Sequence, residues 1–131
     1  AEGHEVAIVD ISSESFERYL PADFAGRTLL GDGIDEDTLR EAGIESADAF
    51  VSAMHGDNHN LMAAQVAKIR FGVQRVVARC NDPVRAEIYQ ELGLATICPS
   101  RLGAAAMYDA VMSDDRQGKD VVAAVDQMLV Q

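Results

Sequence analysis

The run Glu5-Val6-Ala7-Ile8-Val9-Asp10 is an apolar stretch that ends in a single carboxylate. A carboxylate in that place can accept hydrogen bonds from two neighbouring hydroxyls, as on a sugar, and it repels a nearby phosphate. The same side chain can equally cap the bend Ile11-Ser12-Ser13. Arg79 closes a second apolar run, Arg75-Val76-Val77-Ala78. Its fork of donors suits carboxylate and phosphate alike, which leaves Asp57, Asp82 and an external phosphate open as partners. Met54 and His55 follow a third apolar run, where backbone N–H and C=O groups can meet a ligand whatever the side chains are. Gly31-Asp32-Gly33, taken alone, is a tight turn into a helix led by Asp35.

Other constellations carry less chemistry. His55 and His59 lie four apart, but His55 precedes the expected helix and no nearby cysteine completes a ligand set, so no zinc site is expected. Asn81-Asp82-Pro83 has the form of a helix cap with proline in the first turn. Tyr19, Tyr89 and Tyr108 lack a lysine at helical spacing, and there is no Gly-x-Ser-x-Gly or Cys/His pair. A hydride-transfer centre needs such an acid or base beside its cofactor, so the chain does not read as an enzyme.

The elements that must position these residues follow from hydrophobic patterning. Short apolar runs at 5–10, 27–30, 49–53, 75–79 and 96–98 predict strands, and the segments 14–20, 37–42, 58–71, 83–92 and 101–112 predict helices. Gly43, Gly72 and Gly93 stop three of those helices, since glycine tolerates the left-handed C-terminal position. Regular alternation of this kind predicts an α/β fold with a doubly wound parallel sheet. The helix 58–71 is apolar or small over more than half its circumference, which predicts packing on two sides. Its start, Gly56-Asp57-Asn58-His59-Asn60, offers Asp or Asn for a cap and places free N–H groups just after the strand 49–53, the end of an open parallel sheet where ligands bind. Gly103, Ala104, Ala105 and Ala106 would let another helix approach the segment 101–112 closely. A polar break at 113–119 leads to an apolar stretch at 121–130, read as a dimer contact or the start of another module.

Composition narrows the function classes. With 131 residues, 48% of them hydrophobic, the chain suits one compact domain. Its net charge of −11 and eleven scattered Lys and Arg residues exclude a nucleic-acid-binding face. The two cysteines, Cys80 and Cys98, lack metal or redox spacing and read as buried free thiols, in keeping with a reducing compartment. No run approaches the roughly 18 to 20 apolar residues of a membrane span, so direct membrane insertion is not expected.

In dinucleotide-binding folds a strand ended by a lone acid is the second strand, and a first strand and glycine-rich phosphate loop should precede it by about 20 residues. Here only Ala1-Glu2-Gly3-His4-Glu5 precedes it, which reads as the last turn of a helix and its glycine stop. In the order 3-2-1-4-5-6 the first strand lies between the second and fourth, so its absence leaves two facing edges roughly 10 Å apart. The expectation is that the native protein carries about 20 to 30 further N-terminal residues that supply a strand, loop and helix.

In order, Gly3 to Asp10, Gly31-Asp32-Gly33, Leu39-Arg40-Glu41-Ala42-Gly43-Ile44, Ala47-Asp48-Ala49, Asp57, Asn60, Val76-Val77-Ala78-Arg79 and Asn81-Asp82-Pro83 closely resemble the TrkA-N domain family, also called RCK or KTN. The resemblance covers residues 1–112, taken as one domain and followed by a separate segment 113–131; it departs where the family's Gly-x-Gly-x-x-Gly loop would stand. It implies a Rossmann-like domain that binds NAD(H) or ATP/ADP and converts binding into a change of shape without turning the cofactor over. By the resemblance, Asp10 with Ile11 meets the ribose, Gly31, Asp32 and Gly33 lie near the adenine, and Met54, His55 and Arg79 complete the cofactor-binding set. Partners so implied are a second copy of the chain, in a dimer or larger ring, and a membrane-embedded potassium-translocating subunit that holds the protein at the cytoplasmic face of the membrane. The competing reading is the cofactor half of an NAD-dependent oxidoreductase.

Overall fold

The computed structural model describes residues 2–113. Strands and helices alternate along them: β1 (Ala7–Asp10), α1 (Ser13–Tyr19), β2 (Arg27–Leu30), α2 (Glu36–Glu41), β3 (Ala49–Ser52), α3 (Asp57–Gln65), β4 (Arg75–Arg79), α4 (Pro83–Glu91), β5 (Ala95–Ile97) and α5 (Pro99–Met112). A 3₁₀ turn, Ile44–Ser46, follows α2, and a π turn, Val66–Arg70, extends α3. All the expected strands are present, and Gly43, Gly72 and Gly93 stop their helices with φ of 94°, 67° and 91°. At the start, Glu2 and Gly3 form a turn in the left-handed region. The apolar stretch 121–130 lies outside the described residues.

Every strand pair is parallel. Ladders join β1 to β2 and β3 to β4 to β5, and none joins β1 to β3, so the sheet is in two parts. This is the break expected where one strand of the doubly wound order would stand. Within each part the C-terminal ends are flush, Asp10 beside Leu30 and Ser52 beside Ala78, so the residues that follow the strands share one rim.

The interior lies on one face of the larger sheet. Val76 and Ala78 on β4 and Cys80 just after it alternate into it with Leu94, Thr96 and Cys98 on and around β5. The connections β3 to β4 and β4 to β5 run in the same sense, and right-handed crossovers therefore stack α3 and α4 on that same face. Leu61, Ala64, Ala67 and Ala86 fill it from the helices, and Leu39 and Ile44 join from α2 and the turn after it. Thr96 Oγ1 spends its hydrogen on the Ala86 carbonyl at 2.9 Å, which lets a hydroxyl sit in this layer. Neither α1 nor α5 buries any residue.

Two expectations for α3 fail. The helix starts at Asp57 with Gly56 as its cap and no side-chain cap bond, because the Asp57 carboxylate reaches across to the turn after β4 instead. Packing is also one-sided: the buried stripe is Asn60, Leu61, Ala63, Ala64 and Ala67, while Met62 and Ile69 are 53% and 79% exposed. No layer covers the outer side of α3 among the described residues. The π turn closes with Phe71 N–H donating to the Val66 carbonyl at 3.3 Å.

Candidate functional site

The rim is built around Met54. Asn60 is fully buried, and its amide grips the Met54 backbone on both sides: Oδ1 accepts from the Met54 N–H at 2.6 Å and Nδ2 donates to the Met54 carbonyl at 2.8 Å. Ser52 Oγ donates to the Asn60 carbonyl at 2.8 Å and ties the clamp to β3. A side-chain amide that mimics a strand neighbour in this way fixes the exit of β3 without a ladder partner. The Met54 backbone is thus already engaged, and what it offers the rim is its side chain. Met54 Sδ stands 3.2 Å from where a Cβ on Gly33 would lie, so a bare glycine brings the segment after β2 against the exit of β3.

Arg79 joins the same point. Its Nη2 donates to the Met54 carbonyl, and its Nε is buried with no hydrogen-bond partner. The carboxylate pairings left open by the sequence are not formed. Asp57 accepts from the Asn81 and Asp82 N–H groups at 2.8 and 3.0 Å, and Asp82 caps α4 through the Val84 and Arg85 N–H groups at 2.9 and 3.2 Å. The Asn81 N–H bond holds the Asp57 carboxyl below its usual range, with the Asp82 N–H, Cys80 and Arg85 acting in the same direction against desolvation. Both acids are committed to turns, and the Arg79 Nε–H is left buried without a partner. Leaving such a buried donor unpaired costs about 1 to 3 kcal/mol.

On the other half, Asp10 Oδ1 accepts from the Ser12 N–H at 2.8 Å, so the turn reading is realised and the second carboxylate oxygen is left for other donors. Gly31 N–H donates to the Asp10 carbonyl at 2.9 Å, which sets the start of the glycine segment beside the acid. A Cβ on Gly31 would meet Thr38 Cγ2 at 2.6 Å, and glycine is therefore needed for the chain to pass the start of α2. Asp32 Oδ1 takes the Ile34 N–H at 3.1 Å, and Asp35 caps α2 through the Thr38 N–H and hydroxyl, at 2.9 and 2.8 Å. Those two bonds, the backbone one first, lower the Asp35 pKa. The tight-turn reading of Gly31-Asp32-Gly33 is thus also realised. Ile11 and His55 stand exposed on either side.

The structure therefore gathers Asp10, Ile11, Gly31, Asp32 and Gly33 on one half and Met54, His55 and Arg79 on the other, with Gly33 against Met54 as their meeting point. Sequence reading missed Asn60 as the clamp. The available signal was a polar residue at the head of an i, i+4, i+7 stripe whose other members, Ala64 and Ala67, are core alanines. Among the described residues no group of three or more His, Cys, Asp or Glu could hold a metal ion.

A parallel α/β sheet whose acid, glycine segment and arginine share the carboxyl-end rim defines a Rossmann-type domain. The profile described as TrkA-N domain matches residues 1–99, and the chain belongs to the TrkA-N domain family. Among curated relatives, the Trk system potassium uptake protein TrkA of Streptomyces coelicolor is 52% identical over 100 residues, 76% of this chain and 44% of that protein. A second, the TrkA homolog of Pyrococcus abyssi, is 32% identical over 92 residues, 70% of this chain and 40% of the relative. The chain thus spans less than half the length of either. Of solved structures, the Kef C-terminal domain of Shewanella denitrificans in its AMP-bound form aligns with a TM-score of 0.65 and 21% identity over 97% of this chain and 77% of that one. That likeness shows the shared fold.

Proposed function

We propose that this chain is the nucleotide-sensing part of a regulatory subunit of a potassium transport system. It binds NAD(H) or an adenine nucleotide at the carboxyl-end rim and passes the bound state to a membrane-embedded potassium-translocating partner. The observation that carries the reading is the buried, unpartnered Arg79 Nε beside the Gly33–Met54 contact. Residues present here fit such a ligand. Asp10 has a carboxylate oxygen to offer ribose hydroxyls, Arg79 has a donor to offer phosphate, and Gly31, Asp32 and Gly33 form a wall against which an adenine would lie. A carboxylate in that role favours NAD or ATP over NADP, whose 2′-phosphate it repels. Family membership and the AMP-bound fold neighbour support the same reading. Regulation needs only a ligand whose affinity differs between two arrangements of the assembly, so the site acts as a sensor, not a catalyst. Dimers or larger rings would supply those arrangements at the cytoplasmic face of the membrane. Among the described residues no helix is long and apolar enough to cross a membrane.

Calorimetric titration of the intact protein with NADH, NAD, ATP, ADP and AMP tests this. The expected result is saturable binding that falls at least about tenfold, or 1.4 kcal/mol, in each of Asp10→Ala and Arg79→Ala. Unchanged affinity in both variants would remove the rim from the account.

A further inference from the structure

The two thiols are placed as a pair. Cys80 N–H donates to the Ile97 carbonyl at 2.9 Å, closing the last registered pair Arg79↔Ile97, and Cys80 and Cys98 are the next residues along after it on the two adjacent chains. Alternation along the strands sends both side chains to the same buried face, with Cys80 0% and Cys98 9% exposed. Neighbouring strands lie about 4.8 Å apart, inside the Cα separation of about 4.4 to 6.8 Å that a disulfide spans. The sulfurs also converge on one turn: Cys80 Sγ donates to the Asp82 carbonyl and Cys98 Sγ to the Asn81 carbonyl, each at 3.5 Å. Those same two residues give their N–H groups to Asp57. One turn therefore rests on two thiols beneath and holds the first residue of α3 above, directly after Arg79.

We propose that Cys80 and Cys98 form a reversible dithiol–disulfide site whose oxidant is a small hydroperoxide, and that its oxidation state is felt by the Asn81-Asp82 turn. Cys98, the more exposed of the two, attacks the peroxide as its thiolate. The O–O bond breaks, the sulfur becomes a sulfenic acid, and the departing alkoxide takes the thiol's proton to leave as an alcohol. The Cys80 thiolate then attacks the Cys98 sulfur. An S–S bond forms, the S–O bond breaks, and hydroxide leaves as water with the Cys80 proton. Two thiols lose two electrons, and the peroxide is reduced to alcohol and water. Burial, followed by the Asp57 carboxylate, pushes the Cys80 thiol up and keeps the pair reduced until a small oxidant reaches it. In the disulfide both sulfurs lose their hydrogens, so the Asn81 and Asp82 carbonyls lose their donors together.

The test is exposure of the intact protein to hydrogen peroxide, alkylation of remaining thiols and peptide mapping without reductant. The expected product is a peptide pair linked through Cys80 and Cys98, released by dithiothreitol and formed at a rate independent of protein concentration. It should be accompanied by faster hydrogen exchange at the Asn81 and Asp82 amides. In Cys80→Ala, which keeps the site small and apolar, Cys98 should stop at a sulfenic acid trapped by dimedone. Recovery of both cysteines alkylated, over-oxidation of Cys98 in the unaltered protein, or only intermolecular disulfides would overturn the proposal. So would a linked pair with unchanged exchange at the turn.

Discussion

The βαβ unit β1-α1-β2 and the unit β3-α3-β4 share a plan, a strand, a crossover helix and a parallel strand, but their interiors differ. In the second, Leu61, Ala63, Ala64, Ala67, Val76 and Ala78 are withdrawn from water, whereas no described residue before Leu39 is buried. Strand pairing is equally regular in both, with four registered pairs each. Backbone ladders alone therefore do not make a core; the second unit has one because α4 and α2 close over it. The first unit is held by its own ladder and by local bonds such as Asp10 to Ser12, with one long-range anchor in Arg27 donating to the Glu41 carbonyl at 2.6 Å. Since the rim takes residues from both, a ligand there would bridge a firm half and a loose one, which is the arrangement a sensor needs.

The largest expected effect contrasts the two interiors. Leu61→Ala should cost about 3 kcal/mol by urea unfolding, while the half-buried Leu29 of β2, changed to Ala, should cost less than about half of that. Equal losses would erase the contrast. Next comes the clamp at the seam: Asn60→Ala leaves the Met54 N–H without its acceptor and should cost about 2 kcal/mol. Its nucleotide affinity, measured where the variant is still folded, should fall as well. Smaller is the brace on the firm half. Asp57→Asn keeps one acceptor and should cost about 1 kcal/mol at neutral pH. Because the Asp57 pKa is lowered on folding, its contribution is present above the unfolded value near about 3.9 and lost as pH falls through the lower folded value. The gap between wild type and variant should therefore close on acidification below about pH 4. A gap that widens there would reverse the sign of the argument.

Much of this was legible from the chain alone because periodicity and glycine stops are local signals. Each strand falls within two residues of its apolar run, and Asp82 and Pro83 cap α4 as their order predicts. Even the division of the described strands into a β1-β2 part and a β3-β4-β5 part matches the expected strand order. What escaped depends on residues far apart in sequence. Asp57 looks like a helix cap until the turn at Asn81 is brought beside it, and Arg79 looks like half of an ion pair until the Met54 carbonyl takes one of its donors. Asn60 gives no sign by type of the backbone it will grip, and Val66–Arg70 carries no pattern that separates a π turn from an ordinary one.

Hydrogen exchange of the intact protein with and without saturating NADH or ATP tests the sensor account most directly. The account predicts that one of these nucleotides slows exchange on both halves at once, at Ile11 to Ser13 and Gly33 to Ile34 on the loose side and at His55 and Gly56 on the firm side. Slowing on one half alone, or none at a concentration where calorimetry shows binding, would contradict it.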